Sequence, residues 1–83
     1  MQPTSRLENP RTAMKLHALI SDLRWRVQLL DSDIQYEEKR TGISNVSNTA
    51  YPILARNLRT RRGNLLATIT VLESQLAEMD TAA

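Results

Sequence analysis

Apolar residues recur in the first half of the chain at alternating steps of four and three residues, and this spacing constrains the fold more than any other feature. They form the first half of what we call the inner seam: Leu16, Ile20, Leu23, Val27, Leu30 and Ile34. In heptad notation the three β-branched residues occupy position a and the three leucines occupy position d. The spacing predicts a long helix that packs along one stripe against another helix.

Capping residues set the expected limits of this first helix. Asn and Thr side chains cap free N–H groups, so the helix can begin near Asn9 or Thr12. Gly42 can adopt the left-handed conformation that ends a helix, and it lies just after two basic residues that suit the last-turn carbonyls. We therefore expect a helix over about residues 12–40, preceded by a flexible arm at residues 1–11.

A second helix is predicted after a short loop. Residues 41–48 contain Gly, Asn and Ser, which favour turns, and they show no apolar period. The second helix is expected over about residues 49–80, with Pro52 in its first turn and Gly63 as a weak point in its interior. Its half of the inner seam has d positions Tyr51, Leu58, Leu65, Leu72 and Met79 and a positions Ala55, Ile69 and Leu76.

Two helices of similar length joined by a short loop pack most simply as an antiparallel hairpin. The predicted fold is therefore all-α, with one domain over residues 12–80 and with facing residue numbers that sum to about 90. The chain has 83 residues, no cysteine and one histidine, so its small core lacks the support of disulfides or of a clustered metal site. We therefore expect a homodimer, in which two hairpins form a four-helix bundle.

Charged residues cluster where the hairpin is expected to turn. The basic members are Arg56, Arg59, Arg61 and Arg62, and the acidic members opposite them are Asp31, Asp33, Glu37 and Glu38. Clustered arginines bind backbone phosphates, so a nucleic-acid partner is one hypothesis. The nearly balanced net charge of +2 and the facing carboxylates favour the other hypothesis, in which the charges pair and fix the register.

Two polar residues interrupt the inner seam. They are Arg62 at an a position and Glu37 at a d position. Polar residues at such positions specify register or partner at a cost in stability.

A second apolar stripe, which we call the outer stripe, lies on the outer face of the first helix. Its members follow one another at spacings of seven, four and seven residues: Ala18, Trp25, Leu29 and Tyr36. A lone hairpin would leave the ring of Trp25 in water, and exposed aromatic patches mark interaction sites. The outer stripe is therefore expected to bind a second copy of the chain or a helix of another protein.

Sequence patterns typical of catalysis, metal binding and membrane insertion are not found. His17 has no cysteine or second histidine with which to share a metal, and no Gly-rich phosphate loop occurs. We expect no catalytic, cofactor-binding or metal-binding residues, and hence a protein that is not an enzyme.

No apolar run approaches the roughly 18 residues that span a bilayer. Residues 1–10 do not resemble a signal peptide, so we expect a cytoplasmic protein without membrane insertion.

Four short segments carry information beyond the heptads. They read Tyr-Glu-Glu-Lys-Arg-Thr-Gly-Ile-Ser at residues 36–44, Ala-Tyr-Pro at residues 50–52, Arg-Arg-Gly-Asn-Leu-Leu at residues 61–66 and Gln-Leu at residues 75–76. Together they resemble the alphaproteobacterial branch of the FliJ family, which are small coiled-coil proteins of the flagellar type III export apparatus. The similarity extends over about residues 16–79. The chain departs from the family pattern at its N-terminus, where relatives carry a longer basic helical segment.

The resemblance implies an antiparallel coiled coil that contacts the export ATPase and the export gate and helps to deliver substrates. It also implies that the protein has no active site of its own. With the two surfaces described above, the candidate partner-binding residues are Trp25, Leu29, Tyr36, Arg56, Arg59, Arg61 and Arg62. The alternative function is that of a small dimeric nucleic-acid-binding or regulatory protein that uses the basic face at residues 56–62.

Overall fold

Two long helices pack side by side in an antiparallel hairpin, as shown by a computed structural model. Helix α1 spans Pro3–Thr41 and helix α2 spans Ile53–Ala82. The structure describes residues 3–82, and it describes the side chains of residues 10–79. The hairpin is a rod of 59 × 18 × 15 Å. The predicted all-α hairpin is confirmed.

Helix α1 begins earlier than the capping residues indicate. It starts at Pro3 rather than at about residue 12, so residues 3–11 are helical where the sequence predicts an arm. Residues 1 and 2 of that predicted arm lie outside the described residues. Proline is tolerated in a first turn because the N–H that it lacks has no helical partner there. Pro10 instead lies inside α1, where it removes one backbone hydrogen bond without ending the helix.

The end of α1 agrees with the prediction from Gly42. This glycine has a φ of 75°, and its N–H donates to the carbonyl oxygen of Glu38 at 2.8 Å, which is the bond of a left-handed helix cap. The hydroxyl of Thr41 donates to the carbonyl oxygen of Glu37 at 3.0 Å and accepts a hydrogen bond from the N–H of Ile43 at 3.3 Å. Carbonyls of the last turn therefore have partners, and the chain leaves α1 in a defined direction.

The connection between the helices covers residues 42–52 and is longer than expected. Two asparagine side chains organise it. The N–H of Ser47 donates to Oδ1 of Asn45 at 2.9 Å. In the same way, the N–H of Ala50 donates to Oδ1 of Asn48 at 2.8 Å. Because the carboxamide of Asn48 closes a turn within the loop, it does not cap α2.

Helix α2 begins at Ile53 rather than at about residue 49. Pro52 lies just before the helix and not inside its first turn. Its carbonyl oxygen accepts the first bond of the helix, from the N–H of Arg56 at 3.0 Å. At the other end α2 runs to Ala82, slightly beyond the expected end at about residue 80.

The inner seam forms the core of the hairpin, as predicted. One cluster contains Ile20, Leu23, Ile69 and Leu76, a second contains Leu30, Ile34 and Leu58, and Leu65 packs against both. Tyr51 and Ala55 are buried at the loop end. All the predicted seam positions are buried or half-buried. Burial of apolar surface stabilises the fold by roughly 25 cal/mol per Å², so this seam is the main favourable term in folding.

Three ion pairs among the described side chains cross from α1 to α2 and report the register of the hairpin. They are Arg24 with Glu73, Asp31 with Arg62 and Glu38 with Arg59. Their residue numbers sum to slightly more than the expected value of about 90 for a hairpin with a short loop. The longer loop explains the difference, because it moves the start of α2 towards higher residue numbers.

Replacing Gly63 by alanine is expected to stabilise the hairpin by about 1 kcal/mol, because alanine favours the helix and restricts the unfolded chain. Gly63 lies inside α2, and a Cβ there would meet nothing within 4 Å. Gly42→Ala is the matched control. A Cβ at Gly42 would also meet nothing, but its φ of 75° strains an alanine, so this variant is expected to lose about 1 kcal/mol or more. Urea denaturation followed by circular dichroism measures both variants, and a destabilised Gly63→Ala chain would contradict the prediction.

Candidate protein-interaction surfaces

Four side chains from the two helices and the loop meet at the tip of the hairpin, and we call them the tip cluster: Glu38, Tyr51, Arg56 and Arg59. The Tyr51 hydroxyl donates to Oε2 of Glu38 at 2.7 Å and accepts a hydrogen bond from Nε of Arg59 at 2.7 Å. Nη2 of Arg59 also donates to Oε2 of Glu38 at 2.8 Å. These three groups form a closed ring of hydrogen bonds that ties the end of α1 to the start of α2.

The aromatic ring of Tyr51 contacts two guanidinium groups. Tyr51 is only 3% exposed, and the central guanidinium carbons of Arg56 and Arg59 lie 5.3 and 5.8 Å from the ring centre. These distances are within the range of cation–π contacts. Nη2 of Arg56 also donates to the carbonyl oxygen of Val46 at 3.2 Å. Tyr51 and Arg56 therefore fasten the loop to the helices.

The hydrogen bonds of the tip cluster change the acidity of Glu38. The bond from Arg59 and, after it, the bond from Tyr51 stabilise the carboxylate and hold the pKa of Glu38 below its ordinary value near 4.5. The bond to Glu38 likewise raises the pKa of Arg59. Both side chains of this ion pair are only partly exposed, so water screens their attraction less than that of a surface pair.

Sequence reasoning located Tyr51 correctly but missed its role. The heptad pattern predicts a d position and therefore burial, and both are found. The pattern does not show that the hydroxyl joins Glu38 to Arg59. One signal was present in the sequence: a tyrosine in place of leucine at a buried position needs a hydrogen-bond partner.

The four arginines predicted to form one partner surface divide into two groups. Arg59 and Arg62 pair with carboxylates of α1, as the sequence suggests, and both are half-buried. Arg56 and Arg61 are exposed, and neither pairs with a carboxylate in the described part of the chain. The basic surface that a partner could reach therefore consists mainly of two arginines.

The acidic side of the tip also departs from the expected pairing. Glu37 is 8% exposed at its d position, but it pairs with Arg40 of α1 at 2.8 Å and not with an arginine of α2. Asp33 is exposed and forms no ion pair with any described residue. Of the two polar residues that interrupt the inner seam, Arg62 reaches Asp31 across it and acts on the register as predicted, whereas Glu37 does not. Glu37 instead reduces the cost of its own burial by pairing within one turn.

The outer stripe is exposed along the outer face of α1. Trp25 is 58% exposed, Leu29 47% and Tyr36 66%, and Ala18 is exposed as well. On a regular helix these four positions fall within about 40° of one another around the axis and cover about 27 Å along it. This is an apolar stripe, interrupted by Asp22 and Ser32, of the length and width that another helix can cover.

Two shallow grooves extend the outer stripe towards α2. Leu29 lines the first, of about 270 Å³, together with Leu65 and Arg61. Tyr36 lines the second, of about 260 Å³, together with Leu54, which is itself 53% exposed. A helix seated on the outer stripe could therefore also contact α2 through these grooves.

No helix in the described part of the chain combines the length and apolarity needed to cross a membrane. Among the same residues, no three His, Cys, Asp or Glu side chains come together in a way that could hold a metal ion. The buried side-chain nitrogen and oxygen atoms of the described residues all have hydrogen-bond partners.

No protein-family model matches the chain, and no curated protein or solved structure matches it.

Acidification is expected to weaken the tip cluster. The pKa of Glu38 is lower in the folded chain than in the unfolded chain. The contribution of Glu38 to stability is therefore complete above about pH 4.5 and is lost as the pH falls through the folded-state pKa. We expect the Tm to fall as the pH drops below about 4.5, and to fall less in Glu38→Gln. Asp33→Asn is the control, because Asp33 is exposed and unpaired among the described residues. An equal dependence on pH in all three chains would contradict the prediction.

Proposed function

We propose that the protein is a non-enzymatic, cytoplasmic coiled-coil adaptor that binds helices of other proteins. The outer stripe is the observation that carries this proposal. Helix α1 packs against α2 along the inner seam and still exposes Trp25, Leu29 and Tyr36 to solvent. Buried aromatic side chains are among the largest single contributors to binding at protein interfaces. A hairpin with such a surface is suited to adding one more helix.

The partners that we propose belong to the flagellar type III export apparatus: the export ATPase, the export gate or the substrate chaperones. The support is the resemblance to the FliJ family at residues 36–44 and 50–52. The first segment contains Glu38 and the helix-ending Gly42, and the second contains Tyr51. The resemblance thus includes residues that build the tip of the hairpin, beyond the heptad spacing that all coiled coils share.

The exposed arginines of the tip give the proposed adaptor a second point of contact. Arg56 and Arg61 are both exposed, and Arg61 borders the groove that Leu29 lines. Charged groups at the rim of an interface steer association and select the orientation of a partner. A helix that carries carboxylates beside its apolar anchors would complement this edge of the outer stripe.

In the host organism, deletion of the gene is expected to reduce swimming motility and flagellin secretion. A chain carrying Trp25→Ala and Tyr36→Ala is expected not to restore either activity, because it lacks the two aromatic anchors but keeps the inner seam. Val71→Ala is the matched control, since Val71 is an apolar residue of α2 that is 55% exposed and lies outside the outer stripe. Normal motility and secretion after deletion would contradict the flagellar assignment.

The alternative, a nucleic-acid-binding or regulatory protein, requires phosphate contacts from the basic face. Because Arg59 and Arg62 are already paired, these contacts would come mainly from Arg56 and Arg61. We expect no electrophoretic mobility shift of DNA or RNA at about 150 mM salt. A shift that weakens steeply as salt rises, and that disappears in a chain with Arg56→Ala and Arg61→Ala, would establish the alternative instead.

A further inference from the structure

The outer stripe has the same spacing when it is read from either end. Its members are separated by seven, four and seven residues, so Ala18 and Tyr36 are equally distant from Val27, and so are Trp25 and Leu29. When two copies of α1 lie antiparallel with their Val27 residues level, Ala18 of each faces Tyr36 of the other. Trp25 of each then faces Leu29 of the other. Each contact occurs twice, as a two-fold axis requires.

We propose that two hairpins associate through the outer stripe, with α1 antiparallel to α1 and the two-fold axis level with Val27. This inference rests on the proposed function and deepens it, because it names a second copy of the chain as a partner of the outer stripe. The resulting assembly has the two α1 helices at its centre and one α2 on each side.

Side-chain sizes match across this axis. The smallest member of the outer stripe, Ala18, faces the large ring of Tyr36, and the indole of Trp25 faces Leu29. Large residues opposite small ones allow facing helices to interdigitate. In a parallel pair each residue would face its own copy, so Trp25 would meet Trp25 while a gap would remain between two alanines.

Polar residues within the same face also favour the antiparallel orientation. Asp22 and Ser32 lie between the apolar anchors and are again equally distant from Val27. The antiparallel pair places the carboxylate of Asp22 level with the uncharged Ser32 of the other copy. A parallel pair would place Asp22 opposite Asp22. The Asp22 carboxylate also accepts a hydrogen bond from Arg26 of its own chain at 3.0 Å, which partly compensates its charge at the contact.

The area of the outer stripe sets the expected strength of association. A whole aromatic side chain presents about 150–250 Å², so the exposed parts of Trp25 and Tyr36 amount to roughly 250 Å² per protomer. With Leu29 and the flanking residues, two protomers would bury roughly 600 Å² or more, at the weak end of specific interfaces. We therefore expect dissociation constants of roughly tens to hundreds of micromolar, weak enough for a partner helix to displace the second copy.

Sedimentation equilibrium of the full chain from about 10 µM to 1 mM tests the association. Trp25 is the sole tryptophan, so a blue shift of its emission with rising concentration reports its burial.

Leu29→Glu is expected to weaken dimerisation at least tenfold, because it buries an unpaired charge beside the axis. Val71→Glu is expected to leave it unchanged, since Val71 is exposed outside the outer stripe. Circular dichroism of both variants verifies that the hairpin is retained.

Disulfide trapping tests the orientation, because the chain contains no cysteine. Chains with Ala18→Cys mixed with chains with Tyr36→Cys are expected to cross-link under mild oxidation. Either chain alone is expected not to cross-link, because the two cysteines of a homodimer would lie about 27 Å apart along the helix axis. Cross-linking of the Ala18→Cys chain alone would overturn the antiparallel arrangement.

A monomer at about 1 mM, with unchanged Trp25 emission, would overturn the second copy as a partner. This failure is distinguishable from failure of the adaptor proposal, which is decided in the host by the chain with Trp25→Ala and Tyr36→Ala. If the protein is a monomer and that chain loses function, the outer stripe binds another protein and the dimer is overturned. If the protein dimerises and that chain keeps full function, the dimer stands and the adaptor role is overturned.

Discussion

Packing of α1 against α2 along the inner seam is the contact on which the rest of the structure depends. Helices in water owe most of their stability to tertiary packing of an apolar face, and the buried leucines and isoleucines of the seam supply it here. The seam also fixes the rotation of each helix about its own axis. Because Ile20, Val27 and Ile34 point towards α2, the positions on the opposite face of α1 must point into solvent. The exposure of Trp25 is thus a consequence of the core.

The polar groups of the tip add what the apolar seam lacks. Heptad contacts are similar after a shift of one heptad, so apolar packing alone specifies the register of two helices weakly. Gly42 ends α1 at one residue, and Tyr51 joins Glu38 to Arg59 across the turn. Farther from the tip, the bond from Arg62 to Asp31 requires the same register. Apolar burial therefore supplies most of the stability, while the hydrogen-bonded charges determine how the two helices align.

The hairpin, its seam and the end of α1 could be predicted because each follows from a local rule of spacing or backbone conformation. The loop could not, because the carboxamide of Asn48 can either cap a helix or close a turn, and contacts of Tyr51 far along the chain decide between them. The start of α1 was placed too late because Asn9 and Thr12 are residue types that cap helices, yet the helix begins at Pro3 and continues through Pro10. Which of the arginines pair with carboxylates could not be predicted either. Whether Arg62 or Arg61 meets a carboxylate depends on the register, which the longer loop shifts.

The two helices differ in what they can offer a partner. Helix α1 has apolar residues on two opposite faces, whereas the exposed apolar residues of α2 are spread around the helix and form no single stripe: Ile53, Leu54, Leu66 and Val71. A helix with two apolar faces can lie inside an assembly, while a helix with one lies at its edge. Packing along the inner seam has already ordered α1. Binding of a partner therefore does not have to offset the entropy cost of folding this helix. Helix α2 therefore serves to hold α1 helical and in one orientation, which presents the outer stripe as a preformed surface.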